Sequence, residues 1–267
     1  MSNMVENSLL IHTPNLLSTA QNAVLTGTLK KVSEELVESL ELVLKEANVE
    51  DANSPLIKLE LPKTSEFDTL LENDLEVSAK IFFLDSNEEP KECYVSEAVD
   101  VVLKTLNIKR LDSLFVAFNG LYLQEDEDIE LKNFNNELVS KIWKRMEAQV
   151  EDGKVNTLGI SEFSKKLLKE LYDNSKIKPV ANQINLTDCC VIPKDLREYA
   201  KETNIKLYTH IDPSDLISQQ NFDKIVSNSP LQTKKYTPKW AIRYTIMFKA
   251  RGIAASKGYI IKATSLN

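Results

Sequence analysis

Cysteine is scarce in this chain: Cys93, Cys189 and Cys190 are the three in 267 residues. An odd, low count excludes a disulfide framework and points to a reducing, cytosolic setting. Glycine is scarce too, with six in all, and none falls in G-x-G-x-x-G or P-loop spacing, so the usual phosphate-cradling turns are excluded. Only two histidines occur, His12 and His210. No apolar run approaches the roughly 18 residues that mark a membrane-spanning helix. The opening "MSNMVENSLLIHTPNLLSTAQ" lacks the basic start and apolar core of a secretory signal, so none is expected. Positive charge is also short, 33 Lys and Arg against 40 Asp and Glu, for a net charge of -7 and a pI near 5.2. A chain of that balance offers no broad basic face, so neither nucleic acid nor an anionic membrane is the expected partner.

What is present is a sizeable apolar fraction, 42%, enough for a large core beneath a solvated surface. Apolar periodicity switches repeatedly between strand and helix. "PLIKLEL", "DLEVSAKIFFL", "LDSLFVAF", "NTLGIS", "VANQINL" and "IKLYTHI" read as strands. "SEELVESLELVLKEA", "VSEAVDVVLKTLN", "ELVSKIWKRMEAQVEDG", "EFSKKLLKELYDN" and "KDLREYAKETN" read as helices. "TPKWAIRYTIMFKARG" also reads as a helix, with Thr237 as N-cap and Pro238 at the first helical position. Strands alternating with helices mean βαβ units and a parallel sheet. With no Gly-rich fingerprint, a (β/α)8 barrel of the TIM type is the expected α/β fold. Residues 1–32, rich in Asn, Ser and Thr and without a period, read as an irregular lead-in, and 33–267 as the barrel domain.

Several residues carry potential chemistry. Asn182 and Gln183 lie at the C-terminal end of a strand, where α/β enzymes hold ligands. Cys189 and Cys190 follow at once, but with no C-x-x-C spacing and His210 as the one downstream histidine, a zinc site is not expected. His210 and Asp212, in "THIDPSD", also fall at a strand end. With no positioned nucleophile, a mouth-lining role is the preferred reading.

Lys80 in "EVSAKIFF", Ser161 in "LGISEFS" and Gln183 in "KPVANQINL" carry a resemblance to the aldo-keto reductase barrel. In that family the strand lysine belongs to the catalytic set. A Gly-x-Ser-Asn-Phe turn and an Asn-Gln strand end hold the nicotinamide of NADPH. Ser161 and Gln183 match the two carboxamide contacts, while Glu162 stands where the family has Asn. Longer runs, "GISEFSKKLLKELY", "KPVANQINLTDCCVIPKDLREYAK", "KLYTHIDPSDL" and "RYTIMFKARGIAASKGYI", are similar to the regulatory subunits of glutamate–cysteine ligase, a branch of the same superfamily. The resemblance implies a non-catalytic cytoplasmic protein in a heterodimer with the glutamate–cysteine ligase catalytic subunit, raising its glutamate affinity and lowering feedback inhibition by glutathione. It also implies no working cofactor, with Lys80, Ser161 and Gln183 as vestiges of an NADPH site, and no metal. Cys189 and Cys190 belong to the subunit signature; two thiols packed at a strand-to-helix loop are the preferred reading, and a redox or interface pair is the other.

Two members of the reductase set are missing from the sequence itself. The family's acid is a Tyr upstream of the lysine, and no Tyr precedes Tyr94. Its substrate-orienting His belongs at the end of "LDSLFVAF", which closes on Ala117 and Phe118. A general acid supplies about 10²–10⁴-fold, so its loss is severe. An NADPH-dependent oxidoreductase with a substituted acid, or an NADPH-binding sensor, stays open as the alternative. The C-terminal stretch from Trp240, basic and rich in aromatic residues, is the first candidate for a partner surface, with burial in a last barrel helix as the other reading.

Overall fold

The computed structural model describes residues 6–17, 32–46, 56–60, 74–85, 90–118, 136–185, 191–213 and 215–266. Two compact units emerge, one built from residues 1–77, 84–87 and 215–267, the other from 78–83 and 88–214.

The second unit is a run of parallel strands with intervening helices, as the α/β expectation requires. β3 (Leu75–Phe83) enters it at Ser78 and is followed by α2 (Cys93–Leu106), β4 (Leu111–Ala117), α3 (Asn136–Glu151) and β5 (Val155–Ser161). α4 (Lys165–Asn174), β6 (Ala181–Asn185), α5 (Lys194–Glu202) and β7 (Lys206–His210) complete it. The ladder runs β3-β4-β5-β6-β7, all parallel. α2 buries Tyr94, Val95, Ala98, Val99, Val102 and Leu103, the stripe a 3.6-residue period produces. It stops at Asn107, in the left-handed conformation at φ 54, where an Asn is tolerated. α4 starts where the Ser164 side chain accepts the Leu167 N–H.

Parallel register sets one row across the unit: Lys80, Phe115, Gly159 and Ala181 are successive partners. The Phe115 ring lies over Gly159, where a Cβ would collide with it. Glycine in this strand is therefore a packing requirement, not a hinge.

The first unit departs from β/α alternation. β1 (Glu6–His12) lies between β2 (Leu56–Glu60), to which it is parallel, and β9 (Ile253–Leu266), to which it is antiparallel; β9 pairs in turn with β8 (Thr237–Phe248), also antiparallel. α1 (Val32–Glu46) and α6 (Gln219–Ser227) belong to the same unit.

Two sequence expectations are corrected here. The lead-in contains β1, whose Asn7, Leu9 and Ile11 are buried while Ser8, Leu10 and His12 are not. The run Leu9-Leu10-Ile11 hid that period of two. "TPKWAIRYTIMF" is a strand, not a helix. From Ile242 its residues alternate, with Ile242, Tyr244 and Ile246 inside, and β-branched and aromatic content outweighs the Thr-Pro helix-start signal. Pro238 sits beside a register irregularity, where a ladder tolerates proline. The hairpin buries Trp240, Tyr244, Tyr259, Ile260 and Ile261, so those side chains are core and not a partner surface.

Candidate functional site

The carboxyl ends of β5, β6 and β7 converge in the second unit. Ser161 ends β5, Asn185 ends β6 and His210 ends β7. Strand carboxyl ends are where α/β folds place ligand chemistry.

Lys80, in β3, is 3% exposed, and its Nζ donates to Asp212 Oδ2 at 2.9 Å; Asp212 is 4% exposed. A lysine buried to this degree requires a counter-charge, because taking an isolated ion out of water costs far more than any packing gain. The Lys80 ammonium also lies 5.3 Å from the centre of the Phe82 ring. Asp212 is itself held from several sides. Its N–H donates to His210 Nδ1 at 3.1 Å, and its carbonyl accepts from Asn185 Nδ2 at 2.8 Å.

His210 links two carboxylates. Nε2 lies 2.6 Å from Glu162 Oε1, and Nδ1 lies 3.2 Å from Asp212 Oδ2. Because Nδ1 accepts the Asp212 N–H, the neutral ring carries its proton on Nε2, toward Glu162. Glu162 Oε1 also accepts the Asn185 N–H at 2.7 Å. Glu162 holds φ 64, in the left-handed region, at a cost of about 1–2 kcal/mol for a non-glycine residue. That turn follows β5 directly and accompanies the placement of its carboxylate against β6 and β7. Lys80, Asp212, His210 and Glu162 thus form one connected buried chain of charged and titratable groups.

Ser161 and Gln183 are register partners, and Ser161 Oγ donates to Gln183 Oε1 at 3.5 Å. Tyr208, 45% exposed, is the next residue in that row. Ser161 is 1% exposed, so its hydroxyl is committed to the sheet. Asn182 is not a ligand group. Its side chain donates to the Phe163 carbonyl at 2.7 Å and accepts the Phe163 N–H at 3.4 Å, clamping the turn after Glu162. Cys189 and Cys190 lie outside the described residues; Cys93 is an exposed free thiol. Among the described residues, no group of three or more His, Cys, Asp or Glu is placed to hold a metal, and no helix is long and apolar enough to cross a membrane.

The residues named from sequence fall into two sets: Lys80 with His210 and Asp212, and Ser161 with Gln183. Glu162 and Asn185 were missed as participants. For Glu162 the signal was present as a departure from the family's Asn, but its role depends on a positive φ. A nicotinamide carboxamide would reach Gln183, which is half-buried, but the Ser161 hydroxyl is committed to the sheet, Lys80 is spent on Asp212 and no tyrosine stands upstream of it. The fit is partial.

A sequence profile of the aldo/keto reductase family matches residues 74–263. The chain belongs to the aldo/keto reductase family. Similarity to individual proteins is more specific. The glutamate–cysteine ligase regulatory subunit of Homo sapiens is 35% identical over 192 residues, 71% of this chain. That match spans 66% of the human protein's length. A Schizosaccharomyces pombe protein provisionally given the same name is 26% identical over 284 residues, 98% of this chain and 99% of its own. Among solved structures, MGS-M4, an aldo-keto reductase enzyme from a Medee basin deep-sea metagenome library, is 23% identical. The match covers 60% of this chain and 51% of that one at a TM-score of 0.41.

Proposed function

We propose that this aldo/keto reductase family chain is a cytosolic regulatory subunit that binds the catalytic subunit of glutamate–cysteine ligase, raises its affinity for glutamate and relieves feedback inhibition by glutathione. The observation that carries the reading is the 35% identity to the human regulatory subunit over 71% of this chain. The site is consistent with it: the lysine matching the reductase set is buried in an ion pair with Asp212, and the family's acid has no counterpart upstream. A regulator of this kind must bind two states of its partner unequally, since equal affinity shifts nothing.

The test is titration of the catalytic subunit with this chain. The expected result is a saturable fall in the KM for glutamate and a rise in the glutathione concentration that halves the rate. Kinetics unchanged at micromolar subunit would overturn the proposal. Alone, the chain is expected not to oxidise NADPH with simple aldehydes or ketones.

The Ser161–Gln183–Tyr208 row favours one second reading, a nucleotide sensor that binds NADPH without turnover. Quenching of intrinsic fluorescence on NADPH titration, lost in Gln183→Ala, would establish it. An unresponsive spectrum would remove it.

A further inference from the structure

β7 ends the parallel ladder of the second unit. It pairs with β6, and no described strand pairs with its other edge. In a parallel pair a residue turns both its N–H and its C=O to the same neighbour, and the residues between turn theirs away. The Lys206 N–H donates to the Val180 carbonyl at 2.9 Å, so the backbone groups of Lys206, Tyr208 and His210 face β6. Those of Leu207 and Thr209 face outward, and no partner for them is present among the described residues. Proteins normally blunt such an edge with proline, a bulge or charge. Apart from Lys206, β7 carries none of these.

The side chains along the edge are open as well. Tyr208 is 45% exposed, and Ile211, just past the strand, is 70% exposed, the most open large apolar residue described. The backbone on both sides of Ile211 is tied. His210 bonds to Glu162 at 2.6 Å, and Asp212 bonds to Lys80, His210 and Asn185. An apolar group held outward between two tied residues loses little freedom when it is covered.

The backbone of the edge sets what fits it. Leu207 and Thr209 each present one donor and one acceptor, about 6.6 Å apart at the rise of a parallel strand. Another extended backbone repeats at that spacing, and a small ligand does not. Strand addition of this kind draws affinity from main-chain bonds and specificity from alternate side chains. Here those are an apolar residue against Ile211 and a carboxylate for Lys206, which is exposed and has no counter-ion among the described residues.

We propose that the outer edge of β7 is where an extended segment of the protein partner adds as a further strand, bonded to Leu207 and Thr209 and anchored on Ile211. For the identity of that partner the proposal rests on the regulatory-subunit reading. The buried chain from Lys80 to Glu162 then serves to fix the strand end that the partner meets.

The test is residue-resolved amide hydrogen exchange on the full chain, free and with the catalytic subunit. In the free chain Leu207 and Thr209 are expected to exchange about tenfold or more faster than Tyr208 and His210, whose N–H groups bond to β6. In the complex the two fast amides should slow about 100-fold, and the alternation should vanish. A slow pair in the free chain means that the edge is already covered, and overturns the proposal. A complex that forms and lowers the glutamate KM but leaves both amides fast also overturns it, with the regulatory reading intact. Slowing that grows with the concentration of this chain alone places a second copy on the edge and overturns the partner assignment. No complex at micromolar concentrations removes the regulatory reading and the partner assignment together.

Two variants give an independent readout. Thr209→Pro removes one outward N–H and leaves the bonds to β6 in place, as an edge strand allows. Ile211→Lys puts a charge at the anchor, on a side chain already largely in solvent, and so keeps the test open should Thr209→Pro not fold. Each is expected to weaken the complex about tenfold or more, with urea unfolding of the variant alone as the check on its fold. Folded variants that bind as tightly as the parent chain overturn the proposal.

Discussion

Among the described residues, each unit of this molecule buries one Lys–Asp pair and holds one histidine in a hydrogen bond, but the two are wired differently. In the second unit Lys80–Asp212, His210 and Glu162 are continuous, because Asp212 touches both the lysine and the imidazole. In the first, Lys239 pairs with Asp85 at 2.6 Å, while His12 bonds to the Tyr244 hydroxyl at 2.8 Å. The first arrangement concentrates charge at strand ends, where a ligand site would lie. The second spreads polar groups along a β-hairpin, where each supports local packing. The first pattern is the kind a strand-end ligand site would require, and the second is ordinary sheet assembly.

The largest effect is expected from breaking the buried pair of the second unit. Lys80→Met leaves Asp212 without its cation and should destabilise the fold by about 3–5 kcal/mol, read from urea denaturation. Adding Asp212→Leu should recover much of that loss, since removing both charges relieves the desolvation penalty. A loss below about 1 kcal/mol for the single change would mean that water reaches Lys80. Lys239→Met should cost less, about 3 kcal/mol, because both partners of that pair are 9% exposed and solvent screens what is left.

That contrast also shows what could be read from sequence. Strands β3 to β7 and their helices were legible, because each is a clean apolar run or stripe bounded by turn residues. Lys80, Ser161, Gln183, His210 and Asp212 were named in advance. The bond between Lys80 and Asp212 was not, since the two are 132 positions apart and local pattern cannot report a non-local partner. β8 was misread through Thr237-Pro238, and β1 was lost in a polar lead-in. α6 was missed because so short a helix buries only Phe222, Ile225 and Val226.

Alkaline pH should distinguish the first unit. Burial pushes the Tyr244 hydroxyl up from 10.0 to about 12, against a smaller opposing bond from Ser256. The unfolded chain loses this proton near pH 10 while the folded chain keeps it, so the stability it contributes is full below pH 10 and falls as pH rises toward 12. The fall is about 2.7 kcal/mol for this group. Stability curves from pH 9 to 12 should therefore be steeper for the parent chain than for Tyr244→Phe. Parallel curves would show that this hydroxyl ionises without resistance.

A double-mutant cycle tests the wiring of the second unit directly. Lys80→Met and His210→Phe remove two groups that share Asp212, so their costs should not add. A coupling of about 1 kcal/mol is expected, within the range found for residues in one network. Additivity there would mean that His210 answers to Glu162 alone.

The smallest effect is expected from the matching cycle in the first unit, Lys239→Met with His12→Phe. His12 bonds to Tyr244, and Lys239 to Asp85. Tyr244 stands five positions along β8 from Lys239, about 16 Å at the rise of an extended strand. Sites that far apart with different partners normally add to within about 0.5 kcal/mol, so the coupling should be indistinguishable from zero while each single change is measurable. The same urea series reads it. A coupling near 1 kcal/mol would show the hairpin transmitting strain between its two polar anchors. The difference between the units would then be one of degree, and the connected chain behind Lys80 would no longer set the second unit apart.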